Sequence, residues 1–252
     1  MSETTLARNL WLVLHELKPA IQDTSLTLDQ AWVSTLGTNG NEQLYEALRL
    51  LSGAVGMLEH QVRASAVLRD SRAVHLSNLT EVRKLLHPAH LSASAKALAD
   101  CVAGHRLDLL WTLSDALRLT FPEGMLDTKD QDKVTRHLDE ALKTVQASDL
   151  DDRLKDTITT HLDTIRWAVR NVDKLGVDAV MEVLMVALTK IRAEAAKNPK
   201  DAEKPVFGKA VAAGKKVMDV LDGATKAYRN VEKLSELVGP IFDKLPPAGG
   251  AE

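Results

Sequence analysis

Between residues 150 and 172 the apolar side chains Leu150, Leu154, Ile158, Leu162, Ile165, Val169 and Val172 recur at intervals of only three or four. That spacing keeps one face of an α-helix apolar and would scatter the same side chains over both faces of a strand. The rhythm recurs along the chain: Leu6, Leu10, Val13, Leu17 and Ile21; Leu44, Leu48, Leu51, Val55, Leu58 and Val62; Leu98, Val102, His105, Leu109, Leu113, Ala116 and Leu117; Val134, Leu138, Leu142 and Val145. Alternating β-branched runs are nearly absent and aromatics make up only 4% of the chain, so a sheet has little to build on. The expected fold is all-α, a multi-helix bundle of about eight helices with a long C-terminal helix.

Helix ends are marked by residues that satisfy free backbone groups. Ser2 is a candidate N-cap for the first helix, with Pro19 kinking its end. Thr27 with Gln30 forms a capping box for a short helix that closes at Gly37, and Thr128 with Gln131 forms a second box. Pro88 stops a segment over 77–87, "FPEG" at 121–124 closes the helix before it, and Gly176 suits a left-handed cap. The next helix, 177–197, is apolar nearly all round its first half and is expected to be central. "KNPKDAEKP", 197–205, reads as a linker. These breaks divide the chain into an N-terminal half, 1–124, a central half, 125–198, and a last region, 199–252, of linker, long amphipathic helix and tail.

The last helix holds the most ambiguous stretch, "FGKAVAAGKKVMDVLDG", with Pro205 suited to its first position. A phosphate loop needs four residues between its glycine and the Gly-Lys pair, followed by Ser or Thr; here five residues separate Gly208 from Gly214, and Lys216 stands where the hydroxyl belongs. A membrane-seeking helix over 205–245 is the second reading, since Lys204 to Lys244 carries eight basic and five acidic residues. Against it stand an apolar face rich in Ala, Val and Gly and the absence of Trp. The third reading is close helix packing or self-association through Phe207, Val211, Gly214, Val217, Leu221, Tyr228 and Val231, and the spacing favours it.

Net charge is −3 over 252 residues, so no global basic field exists to hold nucleic acid. The single Cys101 excludes an intrachain disulfide framework and fits a reducing, cytoplasmic setting. The N-terminal apolar patch is flanked by Glu3 and Glu16 and reads as a helix, not a signal peptide. The most apolar window, 176–191, is too short to span a bilayer and is interrupted by Asp178 and Glu182.

Catalytic patterns are sparse. Arg69 and His75, in "RDSRAVH", resemble the arginine, polar residue and histidine motif of the HEPN ribonucleases, which are also helical bundles. The resemblance implies attack on RNA with His75 as acid–base. Arg83 with His90 is a second match, broken by Pro88. His87 and His90 flank that proline without a Glu or Cys to complete a metal set, and no histidine has a glutamate three positions before it, as di-iron bundles require. No metal or cofactor is expected. His105 lies on an apolar stripe and reads as a core histidine, with Cys101 one turn before it. The aspartates of "DLDDRLKD", 149–156, suit the positive end of a helix. Trp11, Trp32 and Trp111 read as core or groove packing. Trp167 falls off its stripe, between Arg166 and Arg170, and these three residues are the expected interaction hot spot.

In composition and layout the second half, "HLDTIRWAVRNVDKLGVDAVMEVL" followed by a basic small-residue helix, is similar to uncharacterised helical proteins of bacterial mobile elements and defence islands. The expected function is non-enzymatic: a helical protein that self-associates or docks a protein partner, as a bacterial defence or stress component. The alternatives are a membrane-perturbing effector acting through 205–245 and a HEPN-like ribonuclease.

Overall fold

The computed structural model describes residues 4–118, 120–121, 126–197 and 199–225. Those residues are predominantly helical, with no strand among them; an isolated bridge pairs Thr27 with Ser94. They divide into two compact units, the first reaching to residue 123 and including 173–176, the second holding 124–172 and the chain from 177 onward.

The first unit is built from α1 (Leu6–Gln22), α2 (Leu28–Leu36), α3 (Asn41–Ala64), α4 (Arg72–Leu86) and α5 (Gly104–Leu117), with short 3₁₀ turns at Pro88–His90 and Ala95–Val102. α1 is the hub, packing on α2, α3, α5 and the Ala95–Val102 turn. Its stripe Leu6, Leu10, Val13, Leu17 and Ile21 is buried, as is the α3 stripe from Leu44 to Val62. Trp32 is fully buried, and its indole Nε1 donates to the Leu85 carbonyl at 2.8 Å, so the ring costs no unsatisfied donor. Gly37 takes the left-handed cap (φ 59°) expected of it, and the Gln30 side chain accepts from the Thr27 amide at 3.0 Å.

The second unit joins α6 (Thr128–Gln146), α7 (Asp152–Arg170), α9 (Val177–Ala195) and α11 (Pro205–Thr225) in a closed cycle of contacts, α6 to α7 to α9 to α11 and back to α6. Such a cycle encloses one core. Val134, Leu138, Leu142 and Val145 supply the α6 side, and Leu154, Ile158, Leu162, Ile165 and Val169 the α7 side. α9 buries ten of its nineteen residues, in keeping with a central place. Two four-residue helices, α8 (Val172–Leu175) and α10 (Pro199–Ala202), complete the order.

Several boundaries differ from the sequence reading. α1 begins at Leu6 with Thr5 as its cap, its hydroxyl accepting from the Arg8 amide at 3.1 Å; Ser2 lies outside the described residues. Asp127 caps α6 by accepting from the Asp130 amide at 2.7 Å, one residue before the expected Thr128. Gln131 is thereby released to donate to the Val169 and Arg170 carbonyls at the end of α7. The stripe from Leu98 to Leu117 is not one helix: a 3₁₀ turn ends at Val102 and α5 starts afresh at Gly104. A 3₁₀ turn holds three residues, so the phase of the buried face slips at the junction. His105 is consequently exposed, and α5 buries Leu107, Leu110, Leu113, Ser114 and Leu117.

Gly176 is left-handed (φ 85°), but α7 has already ended at Arg170, and α8 intervenes. Within the first unit Lys174 Nζ lies 2.7 Å from Glu16 Oε2 and donates to the Thr35 carbonyl at 3.0 Å. The expected linker 197–205 is pinned: Lys204 Nζ reaches Asp149 Oδ2 at 3.1 Å and Asp201 Oδ1 at 2.8 Å, and Asp201 accepts from the Asp151 amide. No described helix is long and apolar enough to cross a membrane.

Candidate functional site

Trp167 is not a surface residue: it is 5% exposed, and the next two residues, Ala168 and Val169, are buried as well. Three successive buried positions cannot lie on one helical face, so the end of α7 is covered around much of its circumference. Spacing alone placed Trp167 off the stripe; it did not show that the stripe widens. Its flanking arginines are engaged within the second unit. Arg166 bonds Asp139 at 2.7 Å and also Asp163, and Arg170 lies 3.7 Å from Asp139. The Asp139 hydrogen bond, opposed by burial and joined by the Asp163 charge, holds the Arg166 guanidinium above its ordinary pKa.

The α11 candidates also turn inward. Phe207, Ala210, Ala213, Val217 and Leu221 are buried, Gly214 is buried with them, and Val211 is half-buried. A Cβ added at Gly214 would meet Leu188 Cδ2 at 2.8 Å, so the small residue admits close approach of α9. Over 205–225 the apolar face is thus occupied within the unit and is not displayed to a membrane or a partner. Tyr228 and Val231 lie outside the described residues.

Arg69 and His75 are not brought to one surface. Arg69 is exposed on the turn before α4, whereas His75 is 5% exposed one turn into it. Burial lowers the His75 pKa and its Nδ1 has no hydrogen-bond partner. His87 caps the Pro88–His90 turn, its Nδ1 accepting from the Ala89 amide, with the His90 ring 5.7 Å away. No group of three His, Cys, Asp or Glu that could hold a metal occurs among the described residues. Cys101 is buried and burial pushes its thiol up, away from the nucleophilic thiolate; exposed His105 lies beyond the Gly104 break. Asp151 caps α7 by accepting from the Arg153 and Leu154 amides, a helix-end role for the acidic run.

An aromatic cluster that the sequence reading assigned to packing stands at the surface instead. The Thr5 hydroxyl donates to Ser114 Oγ at 2.9 Å, fixing the start of α1 to α5. One turn on from Thr5 comes Arg8, and one turn back from Ser114 comes Trp111. The Arg8 guanidinium lies 3.6 Å from the Trp111 ring centroid and 4.3 Å from that of Trp11. The two indoles meet edge to face at 4.9 Å, and His15 stacks on Trp11 at 4.9 Å. Trp111 remains 41% exposed, with exposed Asp108 and Asp115 three residues before it and four after it on α5. Burial lowers the Arg8 pKa from its ordinary value, opposed by the Asp115 charge; Nη1 of Arg8 is buried without a hydrogen-bond partner.

The available signal in the sequence was the phase of α5: with Leu107, Leu110, Leu113 and Leu117 inward, Trp111 must face out. The apparent continuity of the stripe through Gly104 concealed it. The described residues thus form two compact helical units, the first of which carries an aromatic and arginine patch. No family model, curated protein or solved structure matches this chain.

Proposed function

We propose that the protein is a non-enzymatic helical interaction module whose docking residue is Trp111, backed by Arg8 and Trp11. One observation supports this reading: a tryptophan 41% exposed is backed by a guanidinium 3.6 Å from its ring. Tryptophan and arginine are the side chains most often found to dominate binding energy, and a pre-positioned ring loses little rotamer freedom on docking. The buried α11 face and the separated Arg69 and His75 leave the membrane and ribonuclease alternatives without comparable support. The partner is a protein surface, either a second copy or another chain. The proposed setting is the cytoplasm of a bacterium, in defence or stress response, and the last helix is a further candidate for assembly.

The experiment is to place a photoreactive phenylalanine analogue at position 111, irradiate in cells, and identify the products by mass spectrometry. Intermolecular products specific to position 111, lost in the Arg8→Ala background, support the reading. Products no different from those of an exposed control position such as Val67 overturn it.

A further inference from the structure

The outward side of α3 is not an ordinary solvated helix face. α3 packs on α4, α1 and α2 through its buried stripe from Leu44 to Val62. On the other side stand two large apolar side chains, Tyr45 at 55% exposure and Met57 at 42%. Between them lie Gly53, exposed, and Gly56, half-buried. Neither glycine has a positive φ; a Cβ added at Gly53 meets nothing within 4 Å, and one at Gly56 meets only Arg83 Nη2, at the ordinary contact distance of 3.7 Å. Alanine fits at both positions and is much the better helix former. Nothing among the described residues therefore accounts for two glycines in the middle of a 24-residue helix.

The charges on this face are arranged symmetrically about its centre. Glu42 lies in the first turn of α3 and Arg63 in the last, both exposed and equidistant from the Ser52–Gly53 bond. A two-fold axis through that bond sets Glu42 of each copy opposite Arg63 of the other, Tyr45 opposite His60, and Arg49 opposite Gly56. Antiparallel helices also bring opposite ends of their macrodipoles together. Glu46 and Glu59 face each other in the same arrangement, but each is already paired within its own chain: Glu46 Oε1 lies 2.9 Å from Arg49 Nη2, and Glu59 Oε1 lies 3.0 Å from Arg83 Nε. A surface complementary to itself under a two-fold rotation is what an isologous interface requires. Small residues at the axis let the two backbones approach, since the distance between packed helices is set by the side chains at the contact.

We infer that the outer face of α3 is a self-association surface, occupied by α3 of a second copy running antiparallel across Ser52, Gly53 and Gly56. It is separate from the Trp111 patch, which is built on α1 and α5. One pair of helices makes a small interface, so the dimer is expected to form at concentrations on the order of micromolar.

Sedimentation equilibrium of the full-length chain over the micromolar range tests this. The wild type is expected to reach a dimer. Glu42→Arg and Arg63→Glu are each expected to weaken it by about tenfold, and the double variant, which restores both facing pairs with their signs exchanged, to recover most of the loss. Gly53→Gln, compared with the wild type where both are monomeric, is expected to melt no lower, because the better helix former meets no neighbour, and yet to fail to dimerise. Circular dichroism checks that every variant keeps its helix content. A monomer at every concentration, the result if the face serves an unrelated protein or none, overturns the inference. A dimer that survives the α3 substitutions overturns it too, and loss of that dimer in Trp111→Ala then assigns it to the α1–α5 patch.

Discussion

Leu188 fills the space that a side chain at Gly214 would need: its Cδ2 would lie 2.8 Å from a Cβ at that position, inside van der Waals contact. Because the clashing atom is the end of a flexible side chain, alanine is tolerable there, and its better helix propensity, worth about 1 kcal/mol, offsets part of the cost. Valine is not, since it adds branches where Leu188 must yield. Gly214→Val is expected to destabilise the second unit by about 1–3 kcal/mol, with Gly214→Ala within about 1 kcal/mol of the parent. Urea unfolding followed by circular dichroism checks both.

α11 closes the cycle of helices in the second unit, so it is part of that core. A chain ending at Asn198 uncovers the faces of α6 and α9 that Phe207, Val217 and Leu221 cover. It is expected to bind a hydrophobic dye at neutral pH and to lose its sharp thermal transition, while the full chain does neither.

Arg8 acts as a spacer between two indoles as well as a charge. Arg8→Ala is expected to cost about 1–2 kcal/mol of stability through lost cation–π contact and packing, and Arg8→Lys to recover only part of it. Trp111→Ala, at an exposed position, is expected to cost less than Arg8→Ala. Thermal melts of the three variants separate these effects.

His75 links stability to pH. Burial lowers its folded-state pKa below the ordinary value of 6.5, so the unfolded chain takes up a proton first as pH falls. The stabilising contribution is therefore fully present above the unfolded pKa and is lost as pH falls from there through the folded value. Between about pH 7.5 and 5 the wild type is expected to lose stability more steeply than His75→Leu, which has no imidazole to titrate. A set of urea midpoints across that range, for both proteins, measures the difference.

Cys101 offers a further check. Its buried thiol, raised by desolvation, is expected to react with a maleimide only on the timescale of unfolding, and at the rate of a free thiol in denaturant. Rapid labelling of the native chain contradicts its placement.

The helices were legible because their apolar spacing is local: α3, α6 and α7 bury the residues that the three-four rhythm selects. The ends were less so, since Asp127 and Thr128 are both good caps and only the partner of Gln131, the far end of α7, decides between them. Which tryptophan is exposed was not legible for a similar reason. Trp167 and Trp111 each sit beside a stripe, and which one is covered depends on residues distant in sequence. At Trp111 a local cue existed, the restart at Gly104, but the slip it causes in helical phase is visible only once the preceding turn is known to be 3₁₀.

The four residues 173–176, counted with the first unit, have a bearing on the order in which the chain is made. When the ribosome has released residues 1–123, that unit still lacks Lys174, which bonds Glu16 and the Thr35 carbonyl. Those groups must wait in water while α6 and α7, both belonging to the other unit, are synthesised. Only α9 and the chain beyond it then remain to be added. The N-terminal unit therefore starts to fold before α6 is made but is completed only after α7, and a pause in translation before residue 174 would hold the nascent chain with its first unit unlatched.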